Sequence, residues 1–434
     1  MPLIDTIRTG RRSGCLVILA LVSLVGIHRA QGQVALEGEG DARWRGFINE
    51  LQQLEGGTGV TPLRMLQLGD SHTAADYFTE VVRRGLQDHF GDAGIGWLMP
   101  AKVPNYRSSR VRIQQSRGWT TRDSSRLSGH GAVFGLGGFL NSPLTAGEWV
   151  QYEFKTDPPE VRTGDRIQVY YRTQGEPPWL LGEQGRVVPM GVIPDAGIAS
   201  NTNGHWAVAE GRSSMGGFEL RSRTGQMTLA GVTLETGQAG VVLDSIGIIG
   251  AQTNLLLHWD PEAVRRQLKN RDYRLILLEF GTNEAFDIHF TAEGYQADLR
   301  QAVEFLASAL PRAALILIAP PDAEERAGAC AKSGSARVVG ANVCPSLSPN
   351  GCAWRVHPNL APIRRIQRQI AREKNLLYWD WSAVMAGACG NHRWTQLNPP
   401  LARPDHVHLT ERGYEASGQA LLQAMMARYR AAGS

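Results

Sequence analysis

Met65-Leu66-Gln67-Leu68-Gly69-Asp70-Ser71-His72-Thr73 is the stretch on which the reading of this chain turns. Its apolar residues run straight into Gly-Asp-Ser, the pattern of a short buried strand closed by a tight turn. A helix is predicted next, with Ala74, Phe78, Val81, Val82, Leu86 and Phe90 along one side. A serine at a strand-to-helix turn stands at the carboxyl edge of a sheet, where open α/β folds bind ligands. Its own N–H, near a helix N-terminus, is placed to face an oxyanion. The tripeptide alone is equally consistent with a turn that merely starts a helix, so the remaining residues must decide.

Working outward, 434 residues are enough for two or three domains with ample core. Arg8, Arg11 and Arg12 precede an apolar run from Cys15 to Ile27, followed by Ala30-Gln31-Gly32. That is the pattern of a signal peptide cleaved after Gly32, and the run is short for a membrane span. Loss of residues 1–32 removes four arginines and Asp5, so the formal net charge of +4 falls to +1. A basic nucleic-acid footprint does not survive that change. Cys330, Cys344, Cys352 and Cys389 remain, an even number that suggests disulfides in an exported protein, with three connectivities open. Their spacings and the absence of histidine partners offer no zinc pattern, and no metal or organic cofactor is expected.

A lead-in helix is predicted from Trp44 to Leu54, and Gly91 to Pro100 reads as a glycine-rich loop with an exposed Trp97. From about residue 110 the helical period vanishes. Short alternating runs replace it, at Trp149–Phe154, Arg166–Arg172, Arg186–Met190, Trp206–Ala209, Phe218–Arg221 and Gln226–Leu234. This texture predicts an inserted all-β sandwich over residues 110–243. Beyond it, apolar strands at Asp244–Ile249, Arg274–Phe280, Ala314–Ala319 and Leu376–Trp381 alternate with helices at Pro261–Lys269, Ala292–Leu310 and Pro358–Lys374, with a last helix after Thr410. Alternation of that kind implies a mostly parallel sheet covered on both faces. The long stretch between the last two of these strands holds three of the cysteines, which marks it as functional or stapled.

Four segments then fall at predicted strand ends or just before the last helix. They are Gly69-Asp70-Ser71, Gly247-Ile248-Ile249-Gly250, Gly281-Thr282-Asn283 and Asp405-His406-Val407-His408. Acyl transfer needs a serine with a base, a carboxylate to hold that base, and preorganised donors for the oxyanion. Asp405 and His408, three apart in a turn, can face one point, and alternation points His406 away. Singly, each segment has a plain structural reading: Gly250 for close packing, Asn283 or Asp405 as caps, His408 as a buried histidine.

Together and in this order, the segments resemble the blocks of the SGNH (GDSL-type) hydrolases. The resemblance covers residues 63–108 and 244–430. It implies a flavodoxin-like three-layer α/β/α fold and an esterase, lipase or acyltransferase activity. It also implies roles: Ser71 as nucleophile, His408 and Asp405 completing the triad, and Ser71, Gly250 and Asn283 as oxyanion donors. His72 after the serine, Gly281-Thr282-Asn283-Glu284-Ala285 and the inserted β-domain resemble more narrowly the bacterial periplasmic peptidoglycan O-acetylesterases, some of which carry a carbohydrate-binding-like insert. Residues 1–32 are then the signal peptide, 33–109 and 244–434 the two parts of the hydrolase domain, and 110–243 the insert.

The implied activity is removal of O-acetyl groups from the C6 hydroxyl of N-acetylmuramic acid in the periplasm, with acetylated glycan as the partner. No nucleic-acid partner and no membrane insertion after signal cleavage are expected. An O-acetyltransferase, an esterase of another acetylated polysaccharide and an inactive glycan-binding protein remain alternatives. His72, Trp97 and Glu284 are candidate substrate contacts, though His72 is equally suited to packing and Glu284 to a structural role. Trp119, Trp149, Trp179 and Trp206 fit either a sugar-stacking platform or sandwich core. Arg107, Arg110 and Arg112 form a small basic cluster whose default is a solvated face.

Overall fold

The computed structural model describes residues 34–433 except 127–129, 156–164, 174–176, 182–186, 194–199, 202–203, 214–215, 329, 331–341 and 346–350. The expected signal segment, residues 1–32, lies outside the described residues. Five parallel strands form the central sheet: β1 (Pro62–Gly69), β2 (Gly240–Gly247), β3 (Leu275–Glu279), β4 (Ala314–Ile318) and β5 (Leu377–Trp379). Their spatial order is β2-β1-β3-β4-β5, the flavodoxin-like order. The strand expected from Asp244 thus begins four residues earlier.

Each strand is a near-continuous apolar run because both of its faces are covered. Leu66, Leu68, Ile276, Leu278, Leu315 and Leu317 pack towards helices α3 (Pro261–Arg271), α4 (Ala292–Ala309) and α5 (Leu360–Glu373). Leu63, Met65, Leu275, Leu277, Ile316 and Ile318 point the other way, onto α1 (Ala42–Glu55), α2 (Tyr77–Phe90) and α6 (Glu411–Gly433). Three layers result, with alternate residues of every strand committed to opposite cores.

The insert lies between α2 and β2. An eight-stranded antiparallel sheet packs on a five-stranded one. Between them lie Ile167, Val169, Tyr171, Leu229 and Val232 from the first, and Val150, Tyr152, Phe218 and Leu220 from the second. The outer side of the larger sheet, through Leu140, Tyr170, Trp206 and Ala230, packs with Trp259, Val264 and Leu268 at and near α3. Gly96–Leu98, expected as loop, pairs antiparallel with Met227–Glu235 and joins this sheet. Trp97 is therefore not exposed: it is 5% accessible, lies against Tyr170 and occupies the space a side chain at Gly231 would need.

The single helix expected after Ser71 is broken. Ser71–Ala74 makes one helical turn, and α2 restarts at Tyr77 after Asp76 adopts φ 55°. That left-handed conformation turns the Asp76 carboxylate to Arg83 at 3.2 Å and to the N–H of Ser109 at 2.6 Å. Phe78, Val82, Leu86 and Phe90 form the buried stripe of α2.

The long stretch between β4 and β5 is stapled. Cys330 pairs with Cys352, and Cys344 with Cys389. Among the described residues no helix is long and apolar enough to cross a membrane, and no cluster of three or more His, Cys, Asp or Glu is placed to hold a metal.

Candidate active site

Parallel register brings three of the four segments to one edge. Gly69 lies opposite Gly247 on one side and Glu279 on the other, so Ser71, Gly250 and Asn283 all follow the carboxyl ends of adjacent strands. Gly247 is required by contact, since a side chain there would strike the backbone of Ala74 in the serine's own helical turn. Gly250 has φ +81° and opens onto free space, a conformation that glycine adopts without the penalty of a Cβ.

The fourth segment is delivered by the loop before α6. Ser71 Oγ is 3.1 Å from His408 Nε2, and His408 Nδ1 is 2.9 Å from Asp405 Oδ2. The other oxygen of Asp405 accepts from the N–H groups of Val407 and His408 at 3.0 and 2.9 Å, which fixes the carboxylate inside its own turn. With a proton on Nδ1 shared with Asp405, Nε2 is free to accept from the serine hydroxyl. Partial burial pushes the Asp405 carboxyl up. The His408 ring and the two N–H donors outweigh it and hold the group well below the usual carboxylate range.

The base under Ser71 is polar and buried. Asp70 accepts from the N–H of His72 at 2.9 Å and from Asn283 Nδ2 at 3.3 Å. Asn283 Nδ2 also donates to the carbonyl of Ala251 at 2.9 Å, tying the Asn283 turn to the Gly250 loop. Burial drives Asp70 up to about 7. Glu279 lies beside it and accepts from Thr73 Oγ1 at 2.9 Å. Burial, and then the neighbouring Asp70, push Glu279 well above the carboxylate range. The signal for Glu279 is visible in the sequence as the one charged residue in the apolar run Leu275-Ile276-Leu277-Leu278-Glu279.

Two other candidates prove to be internal. His72 is 1% exposed, shares a hydrogen bond with the Tyr414 hydroxyl at 3.0 Å, and meets Trp381 edge-on. Burial, reinforced by His408, pushes its ring down to about 3, so it is a neutral packing group. Glu284 is buried too, accepting from the N–H and Oγ1 of Thr253, both at 2.7 Å. It braces the turn that follows Gly250.

His406 points away from Ser71, as alternation predicts, with φ 59°. It stacks on Trp354 with centroids 3.6 Å apart and hydrogen-bonds His392 at 3.0 Å. Trp354 and His392 carry no motif and are not singled out by sequence. They connect the Asp405–His408 turn to the disulfide-stapled stretch.

The four insert tryptophans do not form one platform. Trp119 and Trp206 are buried, while Trp149 and Trp179 are half-buried, Trp179 with the Arg223 guanidinium over its ring at 4.4 Å. Nor is the arginine cluster simply solvated. Arg110 pairs with Glu80 and Asp92, Arg107 lies 3.7 Å above the Tyr77 ring, and only Arg112 has an open setting, beside Glu153.

A model of the GDSL-like lipase/acylhydrolase family matches residues 200–416. The match takes in Gly250, Asn283, Asp405 and His408, and Ser71 lies before it. Among solved structures, a peptidoglycan O-acetylesterase described in action is similar over 91% of this chain and 99% of its own, at 24% identity and a TM-score of 0.73. A salicylyl-acyltransferase from a tetracycline biosynthetic pathway (17% identity, 74% of this chain and 98% of that one) gives a TM-score of 0.30. An acetyl xylan esterase (14% identity, 44% and 82%) gives 0.29. At such identities the first of these likenesses is one of fold. No curated protein matches the sequence.

Proposed function

This chain belongs to the GDSL-like lipase/acylhydrolase family, and from that premise we propose that it is an exported serine esterase removing O-acetyl groups from peptidoglycan at the C6 hydroxyl of N-acetylmuramic acid. As a member of that family it is a carboxylic ester hydrolase. The observation that carries the catalytic assignment is the hydrogen-bonded chain from Ser71 through His408 to Asp405, at 3.1 and 2.9 Å, on the carboxyl edge of the sheet. The substrate assignment draws on the fold shared with a peptidoglycan O-acetylesterase over nearly all of both chains, and on the export pattern of residues 1–32.

In this reading Ser71 Oγ attacks the acetyl carbonyl while its proton passes to His408 Nε2. The Asp405 carboxylate stabilises the imidazolium without taking the proton. Negative charge on the carbonyl oxygen is met by the N–H groups of Ser71 and Gly250 and by the Asn283 amide, whose longer contact, to Asp70, is the one released. Collapse of the tetrahedral intermediate breaks the ester bond, and His408 gives its proton to the departing sugar oxygen. Water, deprotonated by His408, then attacks the acetyl-enzyme and frees acetate.

Acetate release from O-acetylated peptidoglycan by residues 33–434, beside Ser71→Ala, tests both halves. Release by the unaltered chain alone is the expected result. Turnover of a small acetyl ester without release from peptidoglycan would keep the serine chemistry and move the substrate to another acetylated polysaccharide or to a sugar acceptor.

A further inference from the structure

A cavity of about 620 Å³ lies in the insert, on the outer side of its eight-stranded sheet, within the size range of small-molecule sites. Its floor is a row of polar side chains crossing four strands. Thr120 faces Ser142 across one strand pair, Ser142 Oγ and Thr228 Oγ1 share a hydrogen bond at 2.8 Å, and Thr228 faces Arg172. Arg122 follows two residues after Thr120 and lines the same cavity. The walls are residues 131–133 and 225–227, and among the described lining residues there is no carboxylate.

The contrast along this one sheet face is informative. At Leu140, Tyr170 and Ala230 it is apolar and packed into the core shared with α3. In the adjoining row it turns to hydroxyls and guanidiniums while staying concave. Arg172 is held in position by the carbonyl of Val133 at 3.3 Å. Burial lowers the hold of Arg172 on its proton, Asp260 counters this, and the Arg122 charge adds to the lowering. An anion seated between the two arginines would relieve that repulsion. Guanidiniums match carboxylates in shape, and a hydroxyl row suits sugar hydroxyls.

The cavity also lies on a path to the ester-cleaving edge. The strand bearing Thr120 and Arg122 leads to Ser125, whose hydroxyl donates to the carbonyl of Ile249, the neighbour of Gly250, at 3.1 Å. The strand ends at Asp123, and a turn closed by the Arg126 N–H on the Asp123 carbonyl at 3.2 Å brings Ser125 there. Resting on the glycan-esterase reading above, we infer that this cavity is a binding subsite for a carboxylate-bearing sugar of the same polymer, engaged by Arg122, Arg172 and the Thr120–Ser142–Thr228 row.

The test is calorimetric titration of residues 33–434 with two soluble probes of equal length. One is a de-O-acetylated glycan oligomer whose muramic acid units carry free lactyl carboxylates, and the other is an uncharged chitin oligomer. The acidic probe should bind at least about tenfold more tightly, the scale of one charge-assisted contact. Arg122→Glu should abolish the preference, and Arg122→Gln should reduce it, with melting temperatures confirming that both variants fold. Equal binding of the two probes, no binding of either, or an unchanged preference in folded Arg122→Glu would overturn the inference. Neither probe carries an acetyl ester, so a failure of acetate release speaks to the reaction and leaves this result independent.

Discussion

The turn that carries Ser71 and the loop that carries His408 are built by opposite means. Below the serine, Asp70, Glu279 and Thr73 form a buried polar cluster, and two carboxyls there are driven up by loss of water. Around His408 the polar groups stay partly wet, with side chains of His408 and Asp405 37% and 47% exposed, and rigidity comes from behind. There the His406–Trp354 stack and the Cys344–Cys389 staple hold the loop. The two aspartates near the serine are therefore sorted by surroundings. Asp405 stays ionised and suits an imidazolium partner, whereas Asp70 is held towards its neutral form and suits a structural part. Position in the chain, with Asp70 directly beside the serine, would suggest the reverse.

Asp405→Asn tests this division most severely. It should lower kcat on an acetyl ester by about 10²–10⁴, because the wrong tautomer of His408 is then favoured. Asp70→Asn should cost less than a tenth of that loss. Equal losses in the two variants would erase the distinction. Next in size is the staple. Replacing Cys344 and Cys389 together by serine should remove about 2–4 kcal/mol of stability, read as a lower melting temperature that reducing agent, which also opens Cys330–Cys352, at least matches in the unaltered chain. Identical melting with and without reductant would show that the loop does not depend on it.

A smaller effect concerns pH. Asp70 has its folded value raised to about 7 from an ordinary 3.8, so the folded state holds its proton more tightly than the unfolded one. Its contribution to stability is full below about pH 4 and is lost as pH rises towards 7. Asp70→Asn should make the fall in melting temperature over that interval shallower, with Glu279 supplying the remainder. An unchanged slope would place the burial cost elsewhere. Smallest is His406→Ala, which should cost about 1 kcal/mol of stacking with Trp354 and lower kcat a few-fold with KM unchanged, since only the aim of His408 is disturbed.

The central sheet and the four segments were legible because their signals are local. Arg274–Phe280 is built on the apolar run Leu275–Leu278, Ala314–Ala319 is apolar throughout, and both proved to be strands within a residue at either end. The strands Val111–Gln115 and Trp119–Asp123 were not, since Arg112, Gln114, Thr120 and Arg122 face outward and leave too few apolar residues to show a period. Gly96–Leu98 gains strand identity only from its partner Val232–Leu234, far along the chain, and the same pairing buries Trp97. The break at Asp76 depends on Arg83 and Ser109, one of them beyond the helix, so no helical pattern could announce it. At the candidate site, side chains that lie in a motif were readable and those packed behind them, Tyr414, Trp354 and His392, were not.

The place of the insert also sets an order of events. β1 lies between β2 and β3 in the sheet, yet both neighbours come after the sandwich in the chain, Pro62 pairing with Gly240 and Met65 with Leu275. Until residue 240 is made, the strand leading to Ser71 has two open hydrogen-bonding edges and apolar side chains on both faces, the kind of segment that associates wrongly when exposed. The sandwich can form earlier, because most of its partners lie within residues 111–235. Long-range pairing of this kind slows folding. The serine is among the first groups of the site to be synthesised, and its contact with His408 is among the last to close.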